Sequence, residues 1–305
     1  MTEAVAWVNG RLIPWSEAAV PVWDLGVVAG AAVTEAGRTY GHRFVWGSMH
    51  LQRLCRSLRD LGFPMPWSEA DMGAAAEAVI SHNVTLCDAG TDLGVVLSST
   101  AGANATYLGR RCDDTTTVVH TYPLPFSLWR PGFQHGVRLR VPSIRQIPAE
   151  CFPVGLKVRN RLHWWLADQE AERLERGSRA LLLDHHDRVT ETSTSCLYMV
   201  MNGRILTPAE NVLQSLSSVI VERLAGDLQI PFERCDITMD QLSLADEVFL
   251  SSSPSCLLPV ASVNGQACGQ ELPGPIFRRL LEAWGQLVGV NLEEQMLREM
   301  QAPAA

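Results

Sequence analysis

Gly155-Leu156-Lys157-Val158-Arg159-Asn160-Arg161-Leu162 contains the single lysine of a 305-residue chain; every other strongly basic residue is an arginine. On a solvated face either cation serves. A guanidinium, however, stays charged and cannot act as a deprotonatable primary amine. A sole lysine just before a predicted helix is therefore a candidate Schiff-base or general-base residue. Compositional drift that spared one lysine by chance is the competing reading, and this fact alone leaves both open.

On the C-terminal side the pattern predicts a helix over 160–176 closed by Gly177, then a buried strand over 180–183. His185-His186-Asp187-Arg188 turns that strand into Val189-Thr190-Glu191. Two adjacent histidines on a turn without a clear third ligand do not make a metal site, so no metal is expected. Strands at 197–201 and 204–206 flank Asn202-Gly203 as a hairpin. A helix is expected over 216–227, with Ser217 and Ser218 at its start. Free backbone N–H groups there can hold an anion, or the serines can simply cap the helix. Thr238 and Gln241 have capping-box spacing for a short helix. A strand at 247–250 runs into Ser251-Ser252-Ser253, which can cradle a phosphate or form a plain turn. Asn264-Gly265 marks another hairpin, Pro273-Gly274-Pro275 opens a last helix, and the tail from Gln301 is expected to fray.

On the N-terminal side, residues 137–141 alternate as a half-buried strand. The segment 123–132, with three prolines and a glycine, is the expected domain boundary. This gives a small domain over 1–122, a linker over 123–132 and a larger domain over 133–305 that carries Lys157. In the small domain, residues 5–8 and 11–13 read as a hairpin around Asn9-Gly10, and 20–22 as a short strand. The second half of 27–40 reads as a strand turned back at Gly41-His42. A helix over 50–61 shows a stripe of Leu51, Leu54, Leu58 and Leu61. Arg53, Arg56 and Arg59 fall elsewhere on its wheel, the last two assigned to a solvated face. A second helix over 68–82 starts at a Ser68/Asp71 capping box. Two strands, 93–100 and 115–122, follow around a loop at Gly102.

Hydrophobic content of 47% with 19% charge describes a globular chain rather than a disordered one, and the net charge of −8 argues against a nucleic-acid backbone as the main partner. The first eight residues lack a basic region followed by an apolar run, and no apolar stretch reaches the length of a membrane span. The eight cysteines are scattered without a CxxC pair, so reduced thiols in a cytoplasmic protein are expected. Walker A, HExxH and EF-hand patterns are absent.

Arg53, Leu216-Ser217 and Ser253 could converge on one phosphate. A phosphate near a reactive amine suggests pyridoxal phosphate, and Glu191 is a candidate partner for its pyridine nitrogen. Beyond these residues, the chain resembles the class IV (fold-type IV) pyridoxal-phosphate aminotransferases. That group includes branched-chain aminotransferases, D-amino acid aminotransferases and aminodeoxychorismate lyases. The matching stretches are His50-Leu51-Gln52-Arg53-Leu54, Lys157-Val158-Arg159-Asn160-Arg161-Leu162, Val189-Thr190-Glu191, Asn202-Gly203 through Leu206-Thr207-Pro208, Ala245-Asp246-Glu247-Val248-Phe249, Pro259-Val260 and Gly274-Pro275, in the family's order.

The resemblance implies a small N-terminal α/β domain, a larger barrel-like C-terminal domain with the cofactor between them, and a homodimer. Lys157 would hold pyridoxal 5'-phosphate as a Schiff base and move the proton. Glu191 would pair with the pyridine nitrogen, and Arg53, Leu216, Ser217 and Ser253 would bind the phosphate. The implied reaction passes an amino group from an amino acid or amine donor to a 2-oxo acid acceptor. The alternatives are lyase-type beta-elimination and a non-catalytic ligand-binding descendant. A dead site has little chemical reason to keep the chain's only lysine.

Several positions depart from the family pattern. Ser215-Leu216-Ser217-Ser218 replaces a glycine- and arginine-containing start of the phosphate-binding helix. Thr34 stands where an aromatic residue is common. Thr100-Ala101-Gly102 lacks the arginine of the D-amino acid enzymes, and Thr192-Ser193-Thr194-Ser195-Cys196 follows Glu191. Thr34 and Ala101 are thus substrate-pocket candidates. Arg38, Arg145, Arg159 and Arg161 are candidates for holding the substrate carboxylate.

Overall fold

The computed structural model describes residues 3–88, 90–112 and 114–298. The chain divides into two compact units, Met1–Leu124 with Leu156–Arg161, and Pro125–Gly155 with Leu162–Ala305. The segment carrying Lys157 therefore clusters with the first unit. The Gln301 tail lies outside the described residues.

The first unit contains β1 (Val5–Val8), β2 (Arg11–Pro14), α1 (Leu25–Val28), β3 (Ala32–Arg38), α2 (Gly47–Asp60), α3 (Glu69–Asn83), β4 (Leu93–Thr100), α4 (Ala105–Leu108) and β5 (Thr117–Pro123). Its strands form an antiparallel sheet in the order β2-β1-β5-β4-β3. The β1–β2 turn has positive φ at both Asn9 and Gly10, the backbone that a two-residue hairpin demands. Leu51, Leu54 and Leu58 of α2 and Met72, Ala76 and Val79 of α3 pack on Trp7, Val33, Val95, Leu97 and Val119 from the sheet. The predicted leucine stripe thus forms the core, while Arg56 and Arg59 are exposed. The capping box at Ser68 and Asp71 is present.

The second unit contains α5 (Phe126–His135), β6 (Val137–Arg140), α6 (Leu162–Leu174), β7 (Arg179–Leu183), β8 (Val189–Thr192), β9 (Cys196–Met201), β10 (Arg204–Pro208), α7 (Leu216–Asp227), β11 (Phe232–Cys235), α8 (Met239–Ser243), β12 (Glu247–Ser252), β13 (Cys256–Val263), β14 (Gln266–Ala267), α9 (Pro275–Val288) and α10 (Leu292–Leu297). Its strands form a nine-stranded mixed sheet in the order β11-β10-β9-β12-β13-β6-β7-β8, with β14 on β13. The pairs β10–β11, β13–β6 and β6–β7 are parallel. Glu247, buried at the start of β12, accepts hydrogen bonds from the N–H groups of Ile276 and Phe277. A carboxylate there satisfies orphan donors and favours the positive end of α9. Gly274 is required beside it, since a Cβ at that position would overlap the Glu247 side chain.

Some elements differ from expectation. Residues 20–22 form no strand: the Pro21 carbonyl accepts from Asp24 N–H in a turn, and Asp24 caps α1 through Gly26 N–H. Part of the Pro-rich 123–132 segment is helical, as α5 with Pro131 inside it. Ser251 and Ser252 belong to β12, so only the rest of the serine run lies in a turn. The helix opened by Pro275 is followed by another, α10. β13 is a strand despite Pro259, which pairs with Phe249. No helix among the described residues is long and apolar enough to cross a membrane.

Candidate active site

In the first unit, β3 alternates so that Val33, Glu35 and Gly37 share the face beneath α2. Glu35 is 1% exposed and sits under His50 and Arg53, one helical turn apart on α2. Arg53 grips it with two prongs: Nε donates to Oε1 at 2.7 Å and Nη2 to Oε2 at 2.6 Å. His50 Nδ1 lies 2.7 Å from Oε2. A Cβ on Gly37 would come within 2.8 Å of His50 Nε2, so the smallest residue leaves room for the imidazole. Burial alone would raise the Glu35 carboxyl. Hydrogen bonds and charge from His50 and Arg53 outweigh it and hold the pKa below the ordinary 4.5. Burial pushes His50 below the ordinary 6.5; Glu35 opposes this, and the cations of Arg53 and Lys157 add to it.

Lys157 is fixed by its backbone against β3. Its carbonyl accepts from Thr34 N–H at 2.9 Å, and Arg159 N–H donates to the Ala32 carbonyl at 2.8 Å. Val158 bridges Val33 and packs against the core between these bonds. Thr34 itself is buried and donates its hydroxyl to the Leu97 carbonyl at 3.2 Å. Ala101 N–H donates to the Ala31 carbonyl at 2.9 Å.

The candidate arginines separate clearly. Arg38 is buried, with Nη2 3.6 Å from Asp92 Oδ2 and its guanidinium 4.6 Å from the centre of the Tyr40 ring. Arg145, in the second unit, pairs with Asp187 at 2.7 Å. Arg159 has no carboxylate partner among the described residues. It retains open surface, yet surrounding protein weakens its hydration. That desolvation, with the Arg161 cation nearby, lowers its pKa from the usual arginine value, while Tyr122 opposes the shift.

In the second unit, Glu191 lies on β8 and its Oε1 accepts from Leu213 N–H at 2.9 Å. That bond places the carboxylate beside the approach to α7. Ser215 caps α7 by accepting from Ser218 N–H at 3.0 Å. The N–H groups of Leu216 and Ser217, the first two helical residues, have no acceptor within the helix. Both residues are buried. Ser251 Oγ donates to Ser217 Oγ at 2.9 Å and ties the end of β12 to the start of α7. The serine run continues to Ser253, half-buried in the turn between β12 and β13. In the first turn of α7, an arginine arrives from a neighbouring strand: Arg234 of β11 donates to Ser218 Oγ at 3.2 Å and pairs with Glu222 at 2.7 Å. His185 and His186 lie exposed in their turn, and no group of three or more metal-ligating side chains occurs among the described residues.

Within each unit, therefore, several predicted residues do meet. Glu191, Leu216 and Ser217 share one region, and Lys157 is pinned beside Thr34. Glu35 and Tyr198 escaped the sequence reading, whereas Ser251 belonged to the serine run that it singled out. A carboxylate in the otherwise apolar face of β3, opposite a His–Arg pair spaced by three, was the available signal for Glu35.

An α/β unit with a five-stranded antiparallel sheet and a second with a nine-stranded mixed sheet constitute the fold-type IV architecture. The chain belongs to the class IV aminotransferase family, whose model matches residues 32–263. It is 27% identical to the D-alanine aminotransferase of Bacillus licheniformis over 278 residues, covering 90% of this chain and 94% of that protein. It is 26% identical to the branched-chain-amino-acid aminotransferase of Escherichia coli K12, covering 95% and 94%. The solved structure of the Escherichia coli branched-chain enzyme is similar with a TM-score of 0.82 over 94% of both chains, at 25% identity. A branched-chain aminotransferase from Thermobaculum terrenum, solved in its PLP form, shares the fold with a TM-score of 0.81 over 94% of both chains, at 24% identity.

Proposed function

We propose that this class IV aminotransferase moves an amino group from an amino acid or amine donor to a 2-oxo acid acceptor, with pyridoxal 5'-phosphate as cofactor and Lys157 as its catalytic residue. The observation that carries this reading is the chain's only lysine, held against β3 by the backbone bonds of Lys157 and Arg159, within the matched family region.

The donor set fits the cofactor. Buried N–H groups at a helix start, flanked by hydroxyls, suit a phosphate, and a carboxylate oriented by a backbone N–H suits a pyridinium. Bound there, the cofactor supplies an electron-accepting ring that stabilises negative charge on the substrate alpha carbon. Lys157 Nζ holds the cofactor, then removes and returns the substrate proton. Glu191 favours a protonated pyridine nitrogen. Leu216 N–H, Ser217 N–H and hydroxyl, Ser253 and Arg53 bind the phosphate. The Nε–Nη2 edge of Arg53 is engaged by Glu35. Arg159 receives the substrate carboxylate, because an anion there relieves its repulsion with Arg161, whereas Arg38 and Arg145 already face Asp92 and Asp187.

We also place the protein in the cytoplasm as a homodimer. All eight cysteines are free thiols. Val22, Trp23 and Tyr107 are exposed, and the bond from Asn104 N–H to the Trp23 carbonyl ties together the two segments that carry them. A molecular mass in solution equal to one chain would refute the dimer.

The reaction is tested by a panel of donors against several 2-oxo acids, with D-alanine and branched-chain amino acids both included. The expected result is amino transfer that requires pyridoxal phosphate. Release of pyruvate from aminodeoxychorismate without amino transfer would make the protein a lyase instead.

A further inference from the structure

The start of α7 is backed by a continuous row of neutral groups. Tyr198 Oη lies 2.9 Å from Ser251 Oγ, which donates to Ser217 Oγ at 2.9 Å. Ser217 Oγ lies 3.0 Å from Ser215 Oγ. Ser215 Oγ in turn accepts from Ser218 N–H and from Cys196 Sγ, each at 3.0 Å.

Each hydroxyl has one proton and two lone pairs, which fixes the direction of every bond. Ser251 gives its proton to Ser217, so Tyr198 must donate to Ser251. Both lone pairs of Ser215 are filled, so Ser215 must donate to Ser217. Ser217 Oγ then accepts twice, and its own proton has no acceptor left in the row. Ser217 is 1% exposed, which keeps bulk water from serving as that acceptor. Tyr198 is fully buried and stacks on Phe249 with ring centres 5.0 Å apart. Burial, the largest influence, drives its phenol pKa far upward and keeps it a donor.

We propose that Tyr198 and Ser251 are positioning residues that hold Ser217 as an outward hydrogen-bond donor, so that a neutral hydroxyl relay helps fix the cofactor phosphate at the start of α7. This rests on the cofactor reading above, which puts the phosphate at Leu216 and Ser217. A hydroxyl that could rotate would have to give up another bond to meet the anion. The relay removes that competition.

The test compares wild type, Tyr198→Phe, Ser251→Ala and Ser251→Thr, with folding checked by circular dichroism. Inorganic phosphate is titrated into each apoprotein by calorimetry. Pyridoxal phosphate and pyridoxal, which lacks the phosphate, are titrated by visible absorbance. Tyr198→Phe and Ser251→Ala should each bind phosphate and pyridoxal phosphate about tenfold more weakly, the loss expected for a hydrogen bond to a charged group. Pyridoxal binding should be unchanged, and Ser251→Thr should keep wild-type affinity. Wild-type phosphate affinity in both deletion variants would overturn the relay, as would an equal loss of pyridoxal and pyridoxal phosphate, which marks a merely structural role. A wild-type protein that takes up neither would instead overturn the cofactor reading beneath it.

Discussion

The buried cluster of Glu35, His50 and Arg53 and the first turn of α7 both prepare polar groups in the protein interior, but by opposite means. In the first unit, charge is neutralised inside the protein, with Arg53 two-pronged on Glu35. In the second, the row from Tyr198 to Ser215 is neutral and leaves donor capacity unused at Ser217. A closed ion pair loses stability when one partner is removed. An open set of donors loses ligand affinity instead. The two regions should therefore fail in different measurements.

The largest effect is expected at Lys157, the proposed catalytic residue. Lys157→Arg keeps the charge and removes the transferable proton, and turnover should fall by at least about 10²–10⁴-fold. An active variant in a standard amino-transfer assay would remove Lys157 from its role. Next, Glu35→Gln leaves the Arg53 guanidinium buried without its counter-charge, and urea unfolding should show a loss of about 3–5 kcal/mol. A change below about 0.5 kcal/mol, ordinary for a surface site, would mean that the cluster contributes little. Ser217→Ala should behave oppositely: unfolding of the apoprotein stays close to wild type, while pyridoxal phosphate binds about tenfold more weakly.

The smallest effect is a pH dependence. The folded His50 pKa lies below 6.5, so the unfolded chain takes up that proton first and stability falls as pH drops below about 6.5 towards the folded value. Glu35, held below 4.5, is fully stabilising above that pH and adds a second decline below it. His50→Gln should shrink the first decline in urea midpoints. His120, also lowered chiefly by burial, keeps part of it. An unchanged first decline would show that His50 does not set it.

Local chemistry explains how much could be read from the chain itself. The hairpin at Asn9-Gly10, the leucine stripe of α2, the capping boxes at Ser68 and Thr238 and the bounds of α7 all depend on short-range pattern, and each was visible. Asn264-Gly265 marked the hairpin of β13 and β14, but the start of β13, around Pro259, went unread, since proline is uncommon within a strand. The short polar run of β11 becomes a strand only by pairing parallel with β10, a partner outside any local window. At the candidate site, the sole lysine and the ordered stretches around it pointed to one cofactor. Glu35 and Tyr198 stayed hidden because their roles come from contacts across 18 and 53 residues of chain. Arg38 illustrates the converse: its residue type suited a substrate carboxylate, and only the fold revealed Asp92 beside it.

The central claim is that Lys157 Nζ carries the cofactor, and the chain's composition makes it directly measurable. Protein loaded with pyridoxal phosphate is reduced with borohydride, digested and mapped by mass spectrometry. The prediction is one stable cofactor adduct, on the peptide containing Lys157, together with loss of the visible absorbance. An unmodified Lys157 peptide, or an equal adduct in Lys157→Arg, would contradict the account.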